Sequence, residues 1–329
     1  MQMKNTQVMT RRNWLVACVA AVMLGCGGGM APEGDGTGDG NGPASTGDGG
    51  KLKVTATVNM VGDLVRQVGG EHVEVTELMG PGVDPHLYQA TQADFSKLRK
   101  ADVILYVGMH LEGKIQDTLE KMNGQGRKHS VCVTKDIDKT TLLKDPEAEE
   151  YPDPHIWFEV PLWAQTVDAV VETLSKADPA NKADYEKNGA ATKDKMTELQ
   201  TWVADTINDL PEQKRILVTS HDAYSYFGRA YGFKVVGLQG ISTVSEAGLA
   251  DRTKLVDFIK EQKVKAIFVE TSVSPEAIKA IASDAGVVIG GELFSDAMGK
   301  LGQIEHGNDV GTYEGMIKHN VSTIVNALK

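Results

Sequence analysis

The chain is short of cysteine, of long apolar runs and of positive charge, and each shortage excludes a class of protein. Three cysteines occur in 329 residues. Cys18 and Cys26 fall near the start, so Cys132 stands alone in the remaining body and has no partner for an internal disulfide. The most apolar stretch, 14–24, falls short of the roughly 20 residues a permanent membrane-spanning helix needs. Lysine and arginine number 34 against 45 aspartates and glutamates, a net charge of −11. An acidic chain of this kind argues against nucleic acid or an anionic membrane surface as partner.

What stands at the start is an export signal. Lys4, Arg11 and Arg12 form a positive segment ahead of the apolar stretch. It ends in Met23-Leu24-Gly25-Cys26, a small residue before cysteine, as in a lipoprotein cleavage box. Residues 1–25 are therefore read as a signal peptide and Cys26 as the lipidated first residue of the mature chain. Cys18 also fits the box, but cleavage there leaves too little apolar run. The alternative is an ordinary secretory signal with Cys26 incidental. Arg11-Arg12-Asn13-Trp14-Leu15 resembles a twin-arginine motif, so the export route stays open. Residues 26–50 are rich in glycine and lack any aromatic side chain, so they bury too little to offset their ordering entropy. About 24 such residues reach about 27 Å, a tether that holds a body off the membrane. Localisation follows: extracytoplasmic or periplasmic, with membrane contact through the anchor alone.

The body, 51–329, suits two lobes of ordinary size. Short β-branched runs at 52–58, 73–78, 103–107 and 130–134 alternate with helical patterns at 60–68, 91–100 and 115–122. A second set of runs at 215–219, 234–238, 266–270 and 287–289 has helical patterns at 246–262 and 275–285. Alternation of this sort predicts βαβ units and largely parallel sheets. Between them, Met196, Leu199, Trp202, Val203, Ile207 and Leu210 recur at helical spacing until Pro211. The expected architecture is two α/β lobes, 51–176 and 211–329, joined by one long rigid helix within 177–210. At 181–209 that helix would be about 43 Å long, with Gly189 weakening its middle. Cys132 is read as a buried strand residue.

Four motifs carry the chemistry. They are Pro81-Gly82-Val83-Asp84-Pro85-His86, Pro152-Asp153-Pro154-His155-Ile156-Trp157, His221-Asp222-Ala223-Tyr224 and Phe294-Ser295-Asp296-Ala297-Met298-Gly299. Two come from each lobe, and the first, third and fourth follow predicted strands. Loops at the carboxyl ends of strands form the ligand crevice of α/β folds, so the four can meet in a cleft between lobes. Three imidazoles and a carboxylate suit a borderline divalent metal. Proline beside His86 and His155 stiffens their loops and lowers the entropy lost on binding.

These segments resemble the ligand motifs of the cluster 9 solute-binding proteins of ABC transporters, the zinc/manganese group of TroA, PsaA and ZnuA type. Ala177-Asp178-Pro179 resembles the start of that family's interlobe helix, and Thr312-Tyr313-Glu314-Gly315 its last helix. The resemblance spans 51–329. It implies a metal held between two lobes by His86, His155, His221 and Asp296, and delivery to an ABC importer permease by a monomeric lipoprotein that is not an enzyme. In members that favour manganese or iron, glutamate often takes the place of His221; a nitrogen donor there leans the chain toward zinc. Zinc-dedicated relatives commonly carry a histidine-rich loop that this chain lacks.

Two other functions compete. A secreted zinc hydrolase needs an open coordination position and a general base, yet no His-Glu-x-x-His occurs and Asp296 fills the fourth position. An adhesin with a structural metal is the other. Among the remaining histidines, His72 and His129 border strands, His306 lies in a polar loop, His319 is solvated or packed on the last helix, and His110 reaches the cleft at most as an outer partner. Asp153 and Asp222 either orient ligand histidines or cap turns. Trp157, Tyr224 and Phe227 are expected to pack the cleft walls.

Overall fold

The computed structural model describes residues 50–124, 129–145 and 151–329. The expected signal peptide, Cys26 and all but the last residue of the tether lie outside them. The first lobe runs β1 (Leu52–Ala56), α1 (Asn59–Gly69), β2 (Val73–Glu77), α2 (Gln92–Lys100), β3 (Val103–Tyr106), α3 (Gln116–Gly124) and β4 (His129–Cys132). Its strands stand in the order β2-β1-β3-β4, all parallel. The run Val103-Ile104-Leu105-Tyr106 is buried throughout, as a central parallel strand with both faces covered requires. Thr91 and Asp94 close a capping box at the start of α2. Cys132 is half-buried at the end of β4, its Sγ donating to the Val107 carbonyl at 3.0 Å.

Helices α4 (Val160–Trp163), α5 (Thr166–Ala177) and α6 (Lys182–Asn208) follow. The second lobe holds β5 (Ile216–His221), α7 (Ser225–Tyr231), β6 (Lys234–Gln239), α8 (Leu249–Glu261), β7 (Ala266–Glu270), α9 (Glu276–Ala285) and β8 (Val288–Leu293). Strands β5 and β6 pair in parallel, as do β7 and β8, and β5 lies beside β7. A small hairpin, β9 (Ile304–Glu305) and β10 (Asn308–Asp309), leads into α10 (Tyr313–Leu328). Two α/β lobes with parallel sheets and one long connecting helix are thus the observed architecture.

Helix α6 runs unbroken for 27 residues, about 40 Å at 1.5 Å per residue. Gly189 does not interrupt it. A Cβ there would come within 2.4 Å of Val171 Cγ2, so the glycine lets α5 and α6 pack closely at this point. Glycine serves β8 in the same way. A Cβ on Gly290 would meet Ala327 and Phe268, both at 2.8 Å, so its absence lets α10 lie against the sheet.

The lobes are tied by buried polar contacts as well as by apolar packing. Asn59, at the start of α1, exchanges hydrogen bonds with Met298, donating at 3.0 Å and accepting at 2.9 Å. The Tyr313 hydroxyl donates to the Trp157 carbonyl at 2.7 Å, and the Tyr226 hydroxyl to the Asp153 carbonyl at 2.9 Å. Each such bond contributes about 1 kcal/mol net, and losing one partner of a buried pair costs more. These ties fall on the segments that carry His155 and Asp296.

Candidate metal centre

His86, His155, His221 and Asp296 converge. One donor atom from each lies within 4.8 Å of every other, and all four side chains are buried or nearly so. His86 Nε2 lies 3.4 Å from His155 Nε2. Asp296 Oδ1 lies 3.3 Å from His155 Nε2, and its Oδ2 3.3 Å from His221 Nε2. Two donors about 2.1 Å from one tetrahedral ion sit roughly 3.4 Å apart. The observed spacings match that value.

Each side chain is held from behind. His86 follows Asp84, whose Oδ1 accepts the His86 backbone N–H at 2.8 Å and whose Oδ2 accepts the Thr243 hydroxyl at 2.6 Å. Thr243 belongs to the second lobe, so the His86 loop is pinned across the cleft. Gly82 turns this loop at φ +72°, a left-handed conformation that glycine adopts without strain. His155 has its Nδ1 bonded to Asp153 Oδ1 at 2.8 Å, and its backbone N–H donates to the same oxygen at 2.9 Å. That bond turns Nε2 toward the other three side chains. His221 is the last residue of β5, and Glu270 ends the neighbouring strand β7. Glu270 Oε1 accepts the His221 backbone N–H at 2.9 Å; Oε2 lies 2.5 Å from Nδ1, a close charged contact without hydrogen-bond alignment.

The Asp296 loop is gripped through its main chain. Trp157 Nε1 donates to the Ser295 carbonyl at 3.0 Å, and the Tyr224 hydroxyl to the Phe294 carbonyl at 3.0 Å. Asn320 on α10 pairs with Phe294 in both directions, at 2.7 Å and 3.0 Å. Ser272 reaches Asp296 Oδ2 at 3.3 Å.

Charge is concentrated here. Burial drives the His86 imidazole down to about 3, so it is neutral and its lone pair is free. Burial opposes charge on His155 too, but Asp153 and Asp296 outweigh it and raise that imidazole to about 9. Burial is likewise overcome at His221, which Asp296 and Glu270 hold well above the usual histidine range. Asp296 is kept well below the usual carboxylate range; burial works against its charge, but His221 and His155 prevail. Asp296 Oδ1 and His221 Nε2 are buried with no hydrogen-bond partner. Unpaired polar atoms in a buried cluster of one carboxylate and three imidazoles fit a divalent cation, which would take the place of the protons the imidazoles carry.

Residues 54–327 match the sequence profile of the ZnuA family, described as zinc-uptake complex component A periplasmic. The chain belongs to that family. ZnuA-type proteins are metal-binding, substrate-binding components of zinc and manganese ABC transporters. The chain is 48% identical over 284 residues to the manganese-binding lipoprotein MntA of Bacillus subtilis (strain 168), covering 85% of this chain and 90% of that protein. It is 44% identical over 284 residues to the zinc-binding protein TroA of Treponema pallidum (strain Nichols), covering 85% and 89%. The solved periplasmic zinc-binding protein TroA from Treponema pallidum superposes with a TM-score of 0.79 at 43% identity, covering 85% of this chain and 99% of that one. Among the described residues, no helix is long and apolar enough to cross a membrane.

The other motif residues take distinct places. Asp153 orients His155, whereas Asp222 accepts from Ser225 Oγ at 2.8 Å at the start of α7. Trp157 and Tyr224 line the cleft wall and hold the Asp296 loop, and Phe227 packs edge-on against Tyr224. His110 lies outside the cluster, exposed and stacked on Tyr151 at 4.4 Å. His72 pairs with Asp184 on α6 at 2.9 Å. His319 is buried rather than solvated, 4% exposed, and His306 sits in the β9–β10 turn. Glu270 and Thr243 are not singled out by the sequence. The available signal for Glu270 is a carboxylate ending an otherwise apolar strand, Ala266-Ile267-Phe268-Val269-Glu270. A buried charge in that position calls for a partner.

Proposed function

We propose that the chain captures a divalent transition-metal ion outside the cytoplasm, using His86, His155, His221 and Asp296, and delivers it to an ABC importer permease. The ion is cargo, bound at the meeting of the two lobes. The observation that carries this function is the set of 3.3–3.4 Å separations between donors from four distant loops. Family membership supports the transport role, and the names of the relatives span both metals. Three nitrogen donors and one carboxylate favour zinc over manganese, which prefers oxygen-rich, higher-coordinate sites.

Four protein donors leave no open position of the kind a hydrolytic zinc needs. Delivery requires a membrane address, which the Cys26 lipid anchor and the following tether supply. The working unit is a monomer that meets its permease while remaining anchored.

Calorimetry on metal-stripped protein tests the ligand set. His86→Ala and His221→Ala are each expected to leave the body folded and to lower metal affinity by orders of magnitude. An isotherm unchanged from the parent protein in either variant rejects the assignment. Mass spectrometry of the exported chain checks the anchor, with a diacylglycerol on Cys26 as the expected result and an unmodified start elsewhere as the contrary one.

A further inference from the structure

Two of the chain's eight histidines meet in a second place, between α10 and the β9–β10 hairpin. His319, on α10, directs Nε2 at the Glu292 carbonyl, 3.0 Å away. A carbonyl only accepts, so Nε2 donates there and Nδ1 is the nitrogen that faces the cavity. Nδ1 is buried and has no hydrogen-bond partner. The group facing it is Glu305 Oε2, at 3.6 Å. That is too long for a good hydrogen bond. It is close to the roughly 3.4 Å between two donors on one tetrahedral ion.

The surroundings agree. One turn along α10, Thr323 Oγ1 is also buried without a partner. Thr323, His319, Glu305, His306 and Glu292 all line one cavity of about 500 Å³. Glu305 Oε1 is engaged by Gln303 Nε2, which leaves Oε2 directed at His319. His306 and Gly307 form the turn of the β9–β10 hairpin at φ +49° and +80°. The turn lays the His306 ring nearly parallel to that of His319, with centroids 5.1 Å apart. His306 is exposed, so its side chain can change rotamer at the mouth of this cavity and offer a third donor.

We infer that Glu305, His306 and His319 form a second site for a divalent cation of the zinc class, separate from the interlobe cluster. Two imidazoles and one carboxylate select a borderline metal over calcium or magnesium. Only three protein donors, one of them on an exposed turn, make it weaker than the four-donor cluster and leave a position for water. Its ligands come from α10 and the hairpin alone, so it does not depend on closure of the cleft.

Zinc titration of the metal-stripped full chain, read by native mass spectrometry and calorimetry, tests the site. Two equivalents are expected, one tight and one weak. His306→Ala and Glu305→Gln, both on the surface hairpin, should each weaken the second equivalent by at least the roughly 10–100-fold that loss of an outer partner costs at a metal site. Neither should move the first. His221→Ala should remove the tight equivalent and spare the weak one, which separates this site from the transport site. A single equivalent in the parent chain, or a second equivalent unmoved in both hairpin variants, overturns the inference.

Discussion

Glu270 holds His221 at both ends, accepting its backbone N–H at 2.9 Å through Oε1 and standing 2.5 Å from its Nδ1 through Oε2. One carboxylate thereby fixes both the strand end and the ring it carries. The arrangement makes His221 a stronger donor and sets which nitrogen faces the cluster.

Glu270→Gln keeps the size of the side chain and a carbonyl for the contact but removes the charge behind His221. Metal affinity is expected to fall by roughly 10–100-fold, the usual effect of losing an outer carboxylate, while the fold persists. Calorimetry on stripped protein, with circular dichroism as the check on folding, measures both. Unaltered affinity would show that Glu270 serves the strand alone.

Proton release follows from the charges of the metal-free cluster. His155, raised to about 9, holds a proton at pH 7, and that proton must leave before Nε2 can bind a metal. His86, at about 3, is already neutral and releases none. His221 is also held above the usual histidine range and must lose its proton. Apparent affinity should therefore climb with pH at least through about 9, with at least one proton released per ion at pH 7. Stability of the metal-free protein runs the other way. The contribution of His155 is complete below its unfolded value of 6.5 and fades as pH rises through about 9. Calorimetry in buffers of different ionisation enthalpy counts the protons, and a count of zero contradicts the assignment.

Gly237 tests how closely strand packing governs the site. It pairs with Thr219, two residues before His221, across β5 and β6. A Cβ at 237 would lie 2.5 Å from the Asp222 backbone nitrogen, 2.6 Å from the Gln239 carbonyl oxygen and 2.7 Å from the His221 carbonyl carbon. Backbone atoms cannot rotate away, so Gly237→Ala has to displace the end of β5. Overpacking of this kind costs about 1–3 kcal/mol, and the displaced His221 should bind metal more weakly. Thermal melting and calorimetry should both register the change; a normal melt with normal affinity would mean that the strand end is softer than its packing indicates.

Much of the molecule is legible in the sequence because its signals are local. Strand β7 stands at the expected 266–270, and the run 103–107 appears as Val103–Tyr106. The four motifs are legible for the same reason: each puts a donor next to a turn residue. Helix α7 is not anticipated, being seven residues long and directly after His221-Asp222-Ala223-Tyr224. Nor is α5, whose Val167, Val170 and Val171 suit a strand as well as a helix until packing on α6 decides. The outer partners are hidden for a different reason. Thr243 meets Asp84 across 159 residues and Glu270 meets His221 across 49, and no local pattern announces a contact made only by the closed fold.

The choice between zinc and manganese rests on how many donors the cluster can present. Asp296 directs Oδ1 toward His155 and Oδ2 toward His221, each at 3.3 Å, so its carboxylate can bind through one oxygen or both. With three imidazoles that makes four or five protein donors, and nitrogen predominates. Zinc is satisfied by four such donors in tetrahedral array. Manganese stands lowest in the first-row affinity order and favours oxygen-rich surroundings, so it lacks both advantages here. Stoichiometric zinc added to manganese-loaded protein should therefore release the manganese completely. Electron paramagnetic resonance reads this directly, because free hexa-aqua manganese gives a sharp six-line spectrum that the bound ion does not. The six lines should grow in proportion to added zinc and reach full intensity at one equivalent. Manganese still held after one equivalent of zinc would mean that the loops rearrange to add oxygen donors, and would make manganese the favoured cargo.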